Sequence, residues 1–451
     1  MSINSLPNLN ISLKELDPEI SSLLSQEYER QSRSLELIAS ENFVSQAIMD
    51  CLGSIFSISY NDFNNSGKII SPSIQKLEIL TKQRALKAFN LDSETWGVNI
   101  QPHSGSPANF ALLCSILKPH DRLMGLSLQS GGHLTHGHYT GTRKVNCSSF
   151  YFESLPYISD ENGWIDYDLL EKNALLYCPK LIIGGSSGYP RQINFARIRE
   201  ICDKVKAYFM VDIAHYSGLI AGGVYDSPEK YADFITTTTH KTLRGPRSAM
   251  IFYNKIKNPN IEVIINKTVN PGLQCSTHYN QIAALCCQLK EVLSDNWKIY
   301  ASSVLSNSRE LAKYLKNQGL DILTDGTDSH IILINSRKFN LSGLKTEKIL
   351  SACGISCSRS SLPCDGRTMN CSGIRLGSGA LTTRGLNKKD FKIVANFIMD
   401  AIRIGQKIQD NGAKSIEDYT SSFEKYSEIR EIREKVRNLL KEFDFPPFVV
   451  N

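Results

Sequence analysis

No apolar run approaches the ~20 residues a membrane-spanning helix needs, and no internal repeat or low-complexity tract interrupts the chain. Neither sign of charge dominates. Lys and Arg number 51 against 45 Asp and Glu, so the net charge of +6 is spread thinly. That argues against nucleic-acid or membrane partners and against a disordered polyelectrolyte. The stretch 1–19 lacks a secretory apolar core and holds one Lys and no Arg, so no basic leader is visible. A cytoplasmic address is the default, a mitochondrial one the alternative. Paired Cys-x2–4-Cys spacings are missing as well. The cluster Cys353, Cys357, Cys364 and Cys371 is spaced four, seven and seven, which does not suit zinc. Cys114, Cys202, Cys286 and Cys287 sit in apolar runs and read as small core residues of a reducing compartment.

What is present is ample core material: 451 residues, 41% hydrophobic, enough for two lobes. Asp17-Pro18 predicts a helix start, with Ile20, Leu23, Leu24 and Tyr28 at helical spacing, packing either on its own domain or on a second chain. Between Leu77 and Lys255 short apolar runs alternate with helical stretches, the pattern of a mainly parallel sheet. Predicted strands are Leu123–Leu126, Leu181–Ile183, Tyr208–Val211, Phe234–Thr237 and Ala249–Phe252. Predicted helices include Ala108–Leu117, Asn194–Lys206 and a long broken segment over Asn280–Lys316. Beyond it His330–Ile334 predicts a strand, and a last helix places Ile429, Ile432, Val436, Leu439, Leu440 and Phe443 on one face. The implied division is a helical arm over 1–35, a large domain over 36–300 and a small one over 301–451.

Four features sit where strands end, the usual ligand position in open α/β sheets. Ser104-Gly105-Ser106 precedes a helix and offers backbone N–H groups to a phosphate, or simply caps the helix. Asp212 closes an apolar strand, where a carboxylate needs a partner, or caps a helix. Lys241 follows the Thr-rich stretch that includes Thr238 and His240, and suits a Schiff-base nucleophile. Gly131 to His138 carries His133, His136 and His138, where metal binding competes with ring stacking or proton transfer. Jointly, a phosphate turn, a planar imidazole, an Asp and a Lys fit pyridoxal phosphate.

With Leu37-Ile38-Ala39-Ser40-Glu41-Asn42 and Ser372-Gly373-Ile374-Arg375-Leu376-Gly377, these motifs resemble serine hydroxymethyltransferase from about Leu35 to Val436. The resemblance implies an α/β, fold-type-I pyridoxal-phosphate-dependent transferase of the aspartate aminotransferase kind, with a large, mainly parallel domain and a smaller α/β domain. It implies a homodimer or dimer of dimers with active sites between subunits. It further implies glycine hydroxymethyltransferase activity: serine and tetrahydrofolate give glycine and methylenetetrahydrofolate. On matching positions Lys241 forms the Schiff base, Asp212 pairs with the pyridine nitrogen and His133 stacks on the ring. Ser187 and His215 flank the cofactor and substrate. Ser104, Gly105, Ser106, Thr238 and His240 belong to the cofactor site, Ser40 and Arg375 bind the substrate carboxylate, and Tyr60 reaches in from the neighbouring chain.

Three departures stand beside the resemblance. Asp62 replaces the family's proton-handling Glu in a partner-facing loop that lacks its tyrosine pair. A shortened acid misplaced by ~1 Å costs ~100-fold, and losing the proton transfer ~10²–10⁴-fold. Cys275-Ser276 replaces Gly-Gly, which forbids close backbone approach or demands dihedrals that Gly adopts cheaply. Ser358-Arg359-Ser360-Ser361 replaces the folate-reading Asn-Lys-Asn-Thr, leaving folate binding in doubt. These departures motivate two alternatives: a folate-independent β-hydroxy amino-acid aldolase, or an impaired paralogue that serves as partner subunit of an active homologue.

Overall fold

The computed structural model describes residues 9–59, 71–141, 143–365 and 371–446. Tyr60 and Asp62 lie outside these described residues.

The first long helix, α1, is Pro18–Ser32, started by Asp17, whose Oδ1 accepts the Ile20 N–H at 3.0 Å. Only Ser21 is buried on it, while Ile20, Leu23 and Leu24 remain 45%, 58% and 42% exposed. Among the described residues Tyr28 packs edge-on against Phe445 at 5.2 Å, whereas Ile20, Leu23 and Leu24 are left uncovered.

Seven strands form the main sheet: β1 Trp96–Asn99, β2 Arg122–Gly125, β3 Glu153–Ser154, β4 Leu181–Gly185, β5 Tyr208–Asp212, β6 Phe234–Thr238 and β7 Ala249–Asn254. Their order is β1-β7-β6-β5-β4-β2-β3, with only β7 paired antiparallel to its neighbours. β4 is buried at every residue, as a strand covered on both faces must be. Leu181 and Ile183 enter the core under helix α2, Gly105–Ile116, while Ile182 joins the core on the opposite face. Every strand expected from an apolar run is present. The Trp96–Asn99 and Glu153–Ser154 strands were not expected, because neither carries a distinguishing pattern.

Helix α3, Phe195–Val205, covers the sheet, and the long segment after it is two helices, α4 Tyr279–Val292 and α5 Asp295–Asn317. The break falls at Leu293-Ser294, where Ser294 takes the extended conformation of an N-cap. Trp297, Ala301 and Val304 of α5 pack in the large core, whereas Leu311, Ala312 and Leu315 pack in the smaller one. A continuous helix, not a linker, thus crosses position 300.

The smaller core surrounds an antiparallel sheet of β8 Asp321–Ile322, β9 Ile331–Asn335, β10 Ser358–Ser360 and β11 Gly373–Gly377, in the order β8-β9-β11-β10. Helices α6, Lys388–Asp410, and α7, Ser427–Leu440, cover it. Ile429, Ile432, Val436 and Leu440 of α7 are buried as the spacing predicts. The cysteine reading is corrected in part: Cys202 and Cys286 are core residues, but Cys114 is exposed on α2 and Cys287 only half-buried.

Candidate active site

Parallel register brings the carboxyl ends of three strands together. Gly185 of β4 lies beside Asp212 of β5, which lies beside Thr236 of β6. Over these ends opens a cavity of about 370 Å³. Its walls include Ser40, Ser104, Gly105, Ser106, His133, Ser187, Asp212, His215, Thr238, His240, Lys241 and Arg375, which come from distant parts of the chain. Of the residues expected from the sequence, only Tyr60 and Asp62 are missing from this wall, being outside the described residues.

At one end lies the N-terminus of α2. The Ser104 side chain makes no capping bond, so the simple cap reading fails and the hydroxyl faces the cavity with the free N–H groups of the first turn. A Cβ on Gly105 would lie 2.4 Å from Thr238 Cγ2, so glycine is what lets the turn close on β6. His240 lines the same cavity with a buried Nδ1 that has no hydrogen-bond partner among the described residues. Burial, then the charges of Lys241 and Arg247, pull its imidazole down to about 3.

Asp212 is not a helix cap either. Its Oδ1 accepts the Ala214 N–H at 3.0 Å, and its Oδ2 accepts from Asn109 Nδ2 at 2.8 Å and His136 Nε2 at 3.1 Å. Burial pushes this carboxyl up, but the hydrogen bond donated by His136, with the positive charge of Lys241 adding to it, outweighs that and holds the group well below the usual carboxylate range.

Lys241 follows β6 by three residues and is 9% exposed. Burial lowers its ammonium to about 8 against the opposing pull of Asp212, with Arg375 and Arg247 adding to the fall. A lowered pKa makes neutral amine far more available near neutral pH than in an ordinary lysine, as a nucleophile requires. Asn42 holds its backbone: Nδ2 donates to Lys241 O at 3.0 Å and to Tyr300 OH at 2.8 Å, and Oδ1 accepts from Thr383. The Ser40–Asn42 segment is thereby tied to the lysine turn.

Arg375 on β11 donates from Nη1 to Ser187 O at 2.6 Å and from Nε to Ser358 Oγ at 3.2 Å. It has no carboxylate ion-pair partner among the described residues, and burial lowers its pKa. A braced cation without a countercharge is suited to an incoming carboxylate. Ser358 sits in the segment whose folate reading was in doubt; its hydroxyl is occupied in bracing this arginine.

His133 has its imidazole pulled down to about 4 by burial and then by His136, leaving a neutral planar ring at the cavity wall. His215, 2% exposed, is likewise held neutral by burial and the cations around it; its Nδ1 lies 3.4 Å from His330 Nε2. His330 in turn lies 3.0 Å from Ala39 O.

The sequence pattern did not single out Asn109, Asn42 or His330, and noted His136 only within the imidazole stretch. Each acts across the fold, so no local spacing marks it. One feared strain is absent: neither Cys275 nor Ser276 has positive φ, so these residues need no glycine-like dihedrals.

A cavity with a phosphate-sized helix N-terminus, a buried carboxylate, a depressed lysine and an unpaired arginine fits a phosphorylated pyridine aldehyde and an amino acid. The family model of serine hydroxymethyltransferase matches residues 13–398. The chain is 43% identical to serine hydroxymethyltransferase 3, chloroplastic, of Arabidopsis thaliana, over 98% of this chain and 88% of that protein. It is 42% identical to serine hydroxymethyltransferase of Bombyx mori, covering 98% of each. With serine hydroxymethyltransferase, cytosolic, of Saccharomyces cerevisiae it shares 43% identity over 92% of each chain. The chain described here belongs to the serine hydroxymethyltransferase family.

Proposed function

We propose that this cavity performs the reaction of its family, moving the hydroxymethyl group of serine to tetrahydrofolate and leaving glycine. The family is of fold type I and uses pyridoxal phosphate with tetrahydrofolate as co-substrate. The observation that carries the reading is the convergence of Lys241, Asp212, His133, Arg375 and the Ser104–Ser106 turn on one cavity.

Ser104, Gly105 and Ser106 hold the cofactor phosphate at the α2 N-terminus, with Thr238 and His240 beside it. Lys241 supplies the amine that anchors the aldehyde. Asp212, kept ionised, would hold a proton on the pyridine nitrogen, and His133 would offer its neutral ring for stacking. Bound pyridoxal phosphate supplies an electron sink for the bond broken at the substrate Cα. Arg375 and Ser40 orient the serine carboxylate, which fixes the bond facing that sink. Ser187 and His215 border the reacting groups, His215 as a neutral imidazole able to take or return a proton. Asp62 handles the remaining proton transfer and Tyr60 completes the substrate pocket, both from the neighbouring subunit of a homodimer or dimer of dimers. The uncovered Ile20, Leu23 and Leu24 of α1 support such an assembly, and twelve free cysteines suit the cytosol.

Stepwise titration of purified protein tests the proposal. Pyridoxal phosphate is expected to give a visible band, serine to shift it, and tetrahydrofolate to release glycine. Glycine from threonine or phenylserine without folate would favour the aldolase instead. Turnover only after mixing with a homologue would favour the partner-subunit reading.

A further inference from the structure

We propose that Asn109 and His136 are positioning residues that fix the protonation of both groups facing the cofactor ring, holding Asp212 as a carboxylate and His133 as an Nε2–H tautomer. This rests on the reading of the cavity as a pyridoxal-phosphate site.

The donors and acceptors leave one assignment. The His133 backbone N–H can only donate, and its partner is His136 Nδ1 at 3.4 Å. His136 Nδ1 is therefore an acceptor, so the ring hydrogen is on Nε2 and points to Asp212 Oδ2 at 3.1 Å. The Thr135 backbone N–H meets His133 Nδ1 at 3.3 Å, which makes that nitrogen an acceptor too. His133 then carries its hydrogen on Nε2, and the Thr135 hydroxyl donates to Nδ1 at 2.7 Å. Having donated its one hydrogen, the Thr135 hydroxyl accepts from Asn109 Nδ2 at 2.8 Å. The second Nδ2 hydrogen goes to Asp212 Oδ2, and Asn109 Oδ1 accepts from Thr236 Oγ1 at 2.7 Å. Asn109 is the junction through which the states of Asp212 and His133 are joined.

Asn109, Thr135, His136 and Thr236 are each at most 2% exposed, so no water competes for these bonds. The same geometry decides how His133, His136 and Asp212, whose ligand atoms lie within 4.8 Å of one another, are used. Both inward contacts of Asp212 Oδ2 are donated hydrogens, and a cation there would have to displace the His136 hydrogen. The cluster is a proton-ordering device, not a metal site.

The test compares two ligands on apoprotein: pyridoxal phosphate and its deaza analogue, with carbon at the ring-nitrogen position. Wild-type, His136→Leu, His136→Gln and Asn109→Leu proteins are titrated and followed by absorbance, with folding checked by circular dichroism. A hydrogen bond to a charged group is worth roughly tenfold or more in affinity. His136→Leu and Asn109→Leu are therefore expected to weaken pyridoxal phosphate by about that factor and to leave the deaza analogue within about twofold. His136→Gln, whose amide restores a donor, is expected to recover the wild-type constant and band position. Equal losses on both ligands, or a folded His136→Gln as weak as His136→Leu, would overturn the proposal. So would a zinc-dependent rise in the Tm of wild-type apoprotein that is lost in His136→Leu. Failure of the wild-type protein to bind either ligand would instead refute the cofactor reading, and this network with it.

Discussion

Lys241 has its ammonium depressed to about 8 because burial outweighs Asp212. A lysine whose folded pKa lies below its unfolded value near 10.4 destabilises the protein when both states are protonated. That penalty is fully present at pH 7, shrinks as pH rises through 8, and vanishes above the unfolded value. Lys241→Met apoprotein is therefore expected to be more stable than wild type by about 1–3 kcal/mol at pH 7, with the gap closing by about pH 10.5. Urea unfolding at both pH values reads it; equal gaps would show that the amine is not desolvated. Arg375 makes an opposite case, since its cation is the one proposed to receive the substrate carboxylate. Arg375→Lys retains the charge but loses the planar fork and the Ser358 and Ser187 braces. We expect the serine KM to rise roughly tenfold or more while pyridoxal-phosphate affinity stays within about twofold.

How far elements are legible depends on whether their signal is local. β4, β5 and β7 announce themselves by apolar runs, and β6 by Phe234-Ile235 leading into β-branched threonines, because both faces of the sheet are covered. β3 has two residues and β1 includes Gly97 and Asn99, so neither stands out. Asp212 and Lys241 were visible because strand ends have a chemical meaning of their own. Asn109 was not, since a polar residue one turn into α2 becomes informative only when β5 and β6 bring Asp212 and Thr236 to it. The α2 start yields a sharper expectation. In Gly105→Ala the new Cβ must move away from Thr238 Cγ2, displacing the first turn proposed to hold the phosphate. Pyridoxal-phosphate affinity is expected to fall roughly tenfold or more, since misplacement near 1 Å is costly at such sites. An unchanged dissociation constant would remove the phosphate from that turn.

Over the whole molecule, the large core builds the floor of the cavity and the smaller one brings Arg375 to it, with α5 shared between them. Ile20, Leu23 and Leu24 of α1 have no cover among the described residues of their own chain. In the proposed dimer they are covered, so Leu23→Glu is expected to shift the sedimenting species toward monomer. A monomer would also lose the contributions proposed for Tyr60 and Asp62 of its neighbour, so folate-dependent turnover should fall with the dimer fraction. Unaltered sedimentation would place α1 outside the interface.

The chemistry proposed for the cavity depends on one nitrogen. Borohydride reduction of protein loaded with pyridoxal phosphate, followed by peptide mapping, is expected to leave the pyridoxyl label on Lys241 alone, and Lys241→Ala to take up none. A label on another lysine, or undiminished labelling of Lys241→Ala, would contradict it.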